Sequence, residues 1–285
     1  MDVGEFTGFE LSLRNPGIAW FQFNTPERLN GMTTRIKRDL IEAVTQAQMD
    51  NAVRVLVFTG SGRAFCAGDD LKAYGSAELG SNALVPDIPP GHDSALGTYN
   101  GLRTISQQLN TCIRNIDKLT IAAINGVAIQ TGFSLALSCD FRLAATTARL
   151  GSATLRFGLL PDEGGQYLLV RMLGLPKALE FLMRKKIASA EEALALGLVS
   201  EVVEPDQLEA ATMALAEELA NGPQVSMRLL KRSLYNAAEL DWHAALDEIA
   251  AKTAISDHHP DAREGVSAFH EKRQPSFNAW LKDQS

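Results

Sequence analysis

Cysteine is scarce in this chain, with three in 285 residues, at positions 66, 112 and 139. The count is odd and no two share a metal-ligand spacing. Neither a disulfide framework nor a metal site is therefore expected, and the usage suits a reducing compartment. Long apolar runs are also missing, since none approaches the ~20 residues that a membrane-spanning helix needs. A surplus of basic residues is missing too. The 27 Lys and Arg are outnumbered by 34 Asp and Glu, giving a net charge of −7, which argues against a general nucleic-acid binder. The first residues, Met1-Asp2-Val3-Gly4-Glu5, are acidic and resemble neither a signal peptide nor an Arg-rich transit peptide. The expectation is a cytoplasmic protein with no membrane and no nucleic acid as partner. With 46% apolar and 21% charged residues, the composition is that of a globular chain able to bury a large core.

The chemistry-bearing stretch runs from Ile121 to Gly174. An apolar strand (Ile121–Ile124) meets an Asn125-Gly126 turn, then a second short apolar run, Val127–Ile129. Gln130-Thr131-Gly132 follows and opens the apolar segment Phe133–Leu137. A junction from strand through glycine to helix leaves backbone N–H groups free at the helix start. Such donors can hold a developing negative charge. Further on, Pro161-Asp162-Glu163-Gly164-Gly165 places two carboxylates in a tight turn before another apolar segment. The first element is suited to polarising a carbonyl and the second to moving a proton.

The rest of the chain alternates strand and helix up to about Pro205. Phe9–Phe23 reads as a β-hairpin around Asn15-Pro16-Gly17. Thr33 or Thr34 caps a helix with Ile36, Leu40, Val44 and Ala47 on one face. Arg54–Thr59 is a buried strand by its branched residues, and Arg63–Lys72 (RAFCAGDDLK) repeats the strand-to-glycine junction. Residues 74–102, broken by repeated Gly and Pro, read as a loop that includes His92 and Asp93. Leu102–Ile116 reads as an amphipathic helix. Pro176 opens a helix, and Ser189-Ala190-Glu191-Glu192 is a capping box. Beyond Pro205 only helices are expected, so the chain divides into a mixed core (1–205) and a helical region (206–285). That region carries Leu215, Leu219, Val225, Leu229, Leu234, Trp242, Leu246 and Ile249, an apolar excess expected to bury against neighbouring subunits.

These segments, in this order, resemble the crotonase superfamily, the enoyl-CoA hydratase/isomerase group. The carriers are Arg63–Lys72, Ile121–Asp140, Leu159–Gly174, Ala188–Glu204 and the tail around Glu264–Phe269. The resemblance implies an α/β fold, a spiral of repeated ββα turns with a C-terminal helical trimerisation region. It also implies a homo-trimer or a hexamer built as a dimer of trimers. Its substrates are acyl-CoA thioesters, so coenzyme A enters as part of the substrate and no separate cofactor is implied. Carried over by position, the thioester oxygen is held by the N–H groups of Asp69 and Thr131. Threonine stands at the second position where glycine is usual, and glycine tolerates backbone shapes that threonine does not. The coenzyme A contacts map to Arg28, Leu29, Ala67, Asp69, Leu71 and Lys72, with Arg63 and Lys72 able to face phosphates.

One departure decides the chemistry. The two glutamates of typical hydratases fall at Ser134 and Thr154 here, and neither can act as a carboxylate base. Asp162 instead matches the acidic proton shuttle of several isomerase branches, with Glu163 ranked second. The expected activity is movement of a double bond in an enoyl-CoA thioester, through an enolate held by the two N–H groups, with Asp162 as acid/base. Apolar lining for the acyl group is expected from Phe133, Leu159, Leu160 and the 74–102 loop. The alternatives are a hydratase or a related lyase or hydrolase using Asp162 and Glu163 as a relocated acid pair, or a non-catalytic acyl-CoA-binding protein.

Overall fold

Alternating and β-branched apolar residues at the start of the chain form the expected hairpin. Strands β1 (Phe9–Arg14) and β2 (Ile18–Phe23) pair antiparallel, with Phe9 opposite Phe23 and Arg14 opposite Ile18. The Thr33 hydroxyl then accepts a hydrogen bond from the Ile36 amide and caps α1 (Thr34–Met49). That helix buries Ile36, Leu40, Val44 and Ala47 against the first sheet. The structure is a computed structural model that describes residues 6–70 and 94–284.

From here a long strand, a tight turn and a short strand recur. The pairs are β3 (Val55–Gly60) with β4 (Ala64–Cys66), β5 (Leu119–Ile124) with β6 (Val127–Ile129), and β7 (Phe141–Ala145) with β8 (Arg149–Gly151). Between the first two pairs lie α2 (Ala95–Gly101), a π-helical turn (Leu102–Ser106) and α3 (Gln107–Asn115). Helix α4 (Thr131–Ser138) follows β6. The long strands and β10 (Glu201–Val203) align in one sheet of order β1-β2-β3-β5-β7-β10, parallel after the hairpin. The short strands and β9 (Ile187–Ser189) form a second sheet, β4-β6-β8-β9, in which only β9 runs antiparallel. Each repeat thus adds one strand to each sheet, which is the spiral of ββα turns.

After β8 come a 3-10 turn (Thr154–Phe157), α5 (Gly165–Leu173), α6 (Leu175–Met183), β9 (Ile187–Ser189), α7 (Ala190–Ala195) and β10 (Glu201–Val203). The Ser189–Glu192 capping box forms as read from the sequence. Four α-helices, α8 (Leu208–Asn221), α9 (Gln224–Ala237), α10 (Trp242–Asp257) and α11 (Pro260–Glu271), and a 3-10 turn (Ala279–Gln284) end the described residues. No helix among the described residues is long and apolar enough to cross a membrane.

The large sheet is buried on both faces, as a parallel sheet requires. One face packs on α1, α3, α4 and α5. The other face presents Ile18, Trp20, Val55, Val57, Ile121 and Leu143 to Leu208, Ala216 and Leu219 of α8. Leu219 is therefore core of its own chain, and Leu215 packs against the same cluster, so neither is free for a neighbouring subunit. Leu234, Trp242, Leu246 and Ile249 are exposed. Asp140, at the end of α4, anchors α9. It accepts hydrogen bonds from Lys231 Nζ (2.7 Å), the Tyr235 hydroxyl (2.7 Å) and the Thr120 amide (2.8 Å).

The expected loop over 74–102 needs one correction. From Ser94 onward the chain is helical, because the Ser94 hydroxyl accepts from the Gly97 amide and caps α2. Glycine at 97 and 101 lowers helix propensity but does not forbid it. His92 and Asp93 lie outside the described residues.

Candidate active site

Two strand ends meet at the site, and both turn the same way. Gly68, after β4, has φ +111°, and Gln130, after β6, has φ +47°. A β-carbon on Gly68 would stand 3.6 Å from the Ile129 carbonyl oxygen, so the two turns are in contact. Helix α4 starts hard against β4. A β-carbon on Gly132 would lie 2.1 Å from the Cys66 carbonyl oxygen, which leaves room only for glycine. The amides after the two turns belong to Asp69 and Thr131. Met32 bridges to this segment through the Gly68 carbonyl and the Asp70 amide, so the Asp69 amide points the other way. Thr131 is the first residue of α4, whose N-terminal amides have no intrahelical acceptor. Among the described residues neither amide has a hydrogen-bond acceptor. The unusual backbone expected at Thr131 is carried instead by Gln130, and Thr131 has no positive φ.

The Thr131 side chain is itself a connector. Its hydroxyl donates to Asp69 Oδ1 at 2.8 Å. The same oxygen lies 2.7 Å from Lys37 Nζ, which also donates to Glu163 Oε1 at 2.9 Å and to the Ser106 hydroxyl at 2.8 Å. Lys37 and Glu163 are 3% and 2% exposed, so this is a buried ion pair. Burial alone would lower the proton affinity of Lys37, but Glu163 and Asp69 outweigh it and hold the ammonium form above its usual range. Burial pushes Glu163 up, and Lys37 opposes that only in part. Glu163 Oε2 has no partner among the described residues. Lys37 is the functional-looking residue that the sequence reading passed over. Its one available signal is its place on the apolar stripe of α1, three and four residues before Leu40 and Ile41.

Asp162 and Glu163 diverge, as neighbours in a turn do. Glu163 points into the core, whereas Asp162 is half-buried at the start of α5. Asp162 Oδ1 accepts from Gln130 Nε2 at 3.1 Å, and its backbone carbonyl accepts from Gln107 Nε2 at 3.0 Å. Burial and the nearby Asp69 carboxylate raise the proton affinity of Asp162, while Lys37 and the Gln130 amide lower it, and the net shift is upward. Polar amide groups hold Asp162, and part of the expected apolar lining, residues 74–93, lies outside the described residues. Phe133 lies in the core, stacked on Phe181 with ring centroids 5.8 Å apart, while Leu159 and Leu160 are exposed. Ser134 is buried against Gly165, where a β-carbon would come within 2.5 Å of its hydroxyl. Thr154 lies 3.1 Å from the Ser152 hydroxyl.

The predicted coenzyme A contacts fall beside the first turn. Leu29 has φ +54°, and its carbonyl accepts from the Ala67 amide at 3.0 Å. Arg28 is exposed and pairs with Asp70 at 2.8 Å. Arg63 is exposed at the start of β4. Arg28, Leu29, Ala67 and Asp69 are thus brought together along one edge. Leu71 and Lys72 lie outside the described residues.

Comparison with known proteins agrees with this architecture. Residues 14–280 match the family model described as Enoyl-CoA hydratase/isomerase. The 1,2-epoxyphenylacetyl-CoA isomerase of Escherichia coli is 33% identical over 272 residues, covering 94% of this chain and 98% of that protein. The crotonyl-CoA hydratase of Syntrophomonas wolfei is 30% identical over 261 residues, covering 91% and 94%. The crystal structure of an enoyl-CoA hydratase from Bacillus anthracis superposes with a TM-score of 0.84 at 29% identity, covering 95% of this chain and 99% of that one. With a two-sheet spiral, paired amide turns and a family match across nearly its whole length, this chain belongs to the enoyl-CoA hydratase/isomerase family of the crotonase superfamily.

Proposed function

We propose that this protein moves a double bond within an enoyl-CoA thioester, with Asp162 as the acid/base. The observation that carries this reading is the placement of Asp162. It is half-exposed and held by the same Gln130 that precedes the Thr131 amide, while serine and threonine occupy positions 134 and 154. In this scheme the thioester oxygen accepts from the Asp69 and Thr131 amides. Asp162 takes a proton from the α-carbon, the C–H pair becomes a double bond to the carbonyl carbon, and the C=O π pair moves onto the thioester oxygen as an enolate. The same carboxyl group returns the proton to the γ-carbon, and the double bond has shifted. The upward shift of Asp162 suits a group that takes up and returns a proton. Arg28, Leu29, Ala67 and Asp69, with Arg63, Leu71 and Lys72, are assigned to the coenzyme A portion. The E. coli relative, named as an isomerase, supports the same branch.

A hydratase reading draws on relatives such as the Syntrophomonas protein. It requires a second carboxylate facing the substrate, and Glu163 is turned inward onto Lys37. We further propose that the exposed apolar residues of α9 and α10 form a subunit interface, giving a trimer or a hexamer. Incubation with a short 3-enoyl-CoA tests the function. Conjugated 2-enoyl-CoA as product supports it, a 3-hydroxyacyl-CoA product supports hydration, and tight binding without turnover points to an acyl-CoA-binding protein.

A further inference from the structure

Gln130 has a backbone conformation that calls for explanation. Its φ of +47° and ψ of −100° are uncommon for any residue with a β-carbon, and such conformations concentrate at functional sites. Glycine would adopt this turn more readily. What glutamine supplies is its side chain, and both ends of that side chain are engaged. Nε2 donates to Asp162 Oδ1 at 3.1 Å, and Oε1 accepts from the Ser152 hydroxyl at 2.6 Å. Ser152 has one hydroxyl proton, and it is given to Gln130. The contact with Thr154 at 3.1 Å is then made with Thr154 as donor. The ionised carboxylate fixes which end of the amide faces it, because a flipped amide would put oxygen against oxygen at Asp162.

We propose that Gln130 is a positioning residue for the reaction, holding the Asp162 carboxylate in place and favouring its ionised form, with Ser152 and Thr154 fixing the amide. The proposal rests on the reading of Asp162 as the acid/base. It gives positions 152 and 154 a use: they carry no acid, but they feed a hydrogen-bond chain that ends on the one at 162. It also couples the two halves of the site. The turn that presents the Thr131 amide is the turn that holds Asp162, so the donor and the base are set by consecutive residues. Gln107 holds the Asp162 backbone carbonyl as well. Among the described residues, the charged groups acting on Asp162 are Asp69, Glu163 and Lys37. None of them is altered by a change at position 130.

The test uses Gln130→Leu and Gln130→Glu, both unbranched at Cβ and equally compatible with the turn. Leu removes the donor. Glu keeps the shape and the Ser152 bond but sets a carboxylate against Asp162. The readout is kcat/KM for a short 3-enoyl-CoA against pH. The acid limb moves up by about one pH unit in Gln130→Leu and further in Gln130→Glu, with kcat falling more than KM rises. A role in shape alone would leave the acid limb of Gln130→Leu where it is in wild type, because Leu keeps apolar bulk at the turn and lacks only the donor. Carboxyl-¹³C NMR of Asp-labelled protein, with Asp162 assigned by its loss in Asp162→Asn, reads the same shift without substrate. Folded variants whose acid limb and Asp162 titration match wild type overturn the proposal. If Asp162→Asn keeps full turnover, the acid/base reading falls with the catalytic part of this proposal, and the NMR titration still decides whether Gln130 governs the proton on Asp162.

Discussion

The Thr131 hydroxyl donates to Asp69 Oδ1 at 2.8 Å and so ties together the two residues assigned to hold the thioester oxygen. Asp69 is in turn held by Lys37 at 2.7 Å. The separation of the two amides is thus set by a side-chain strap as well as by the sheet beneath them. Catalysis by fixed donors depends on their not having to reorganise during the reaction, and in the proposed scheme the strap would serve that need.

Thr131→Val removes the hydroxyl while keeping size and branching. A hydrogen bond to a charged group contributes roughly 1.5–3 kcal/mol. If the strap spends that on holding the donors, kcat falls about tenfold or more, while coenzyme A-ester affinity changes little. Steady-state kinetics with direct binding measurements separate the two effects. An unchanged kcat removes the strap from the account.

Glu163 gives stability a pH dependence of predictable sign. Its folded-state pKa is raised to about 7 by burial, from 4.5. The folded protein therefore binds more protons than the unfolded chain between those values, and stability falls as pH rises through this window. Urea titrations of Glu163→Gln should lack this component. Lys37→Met removes the cation that holds Glu163 down, so Glu163 takes up its proton at a still higher pH and the variant loses more stability at pH 8 than at pH 6. Equal losses at both pH values would contradict the pairing.

The exposed Leu234, Trp242, Leu246 and Ile249 on α9 and α10 predict self-association. Light scattering at micromolar concentration should give the mass of a trimer or a hexamer. A monomer under those conditions rules the interface out.

Much of the fold was legible because its signals are local. The Thr33 cap, the Asn15-Pro16-Gly17 turn and the Ser189–Glu192 box each sit within a few residues. The same holds for the strand-to-glycine junction at Gly68, whose φ of +111° glycine accommodates readily. Gln130 makes the equivalent turn without glycine, so its sequence carries no sign of it. Lys37 meets Glu163 across 126 positions of chain, a pairing that no local pattern encodes. The helical tail shows the same limit. Leu219 and Leu234 look alike in sequence, yet one packs on the sheet and the other faces outward, because only tertiary placement of α8 and α9 separates them.

The central claim is that Asp162 moves the proton, and Asp162→Asn tests it most directly. Asparagine is nearly isosteric but cannot accept the proton. The measurement is deuterium incorporation from solvent at the α-carbon of a short 3-enoyl-CoA, followed with its isomerisation. The account predicts that both fall together by roughly 10²–10⁴, that coenzyme A-ester affinity stays within about a few-fold of wild type, and that Glu163→Gln does much less. Full exchange and turnover in a folded Asp162→Asn protein would contradict it.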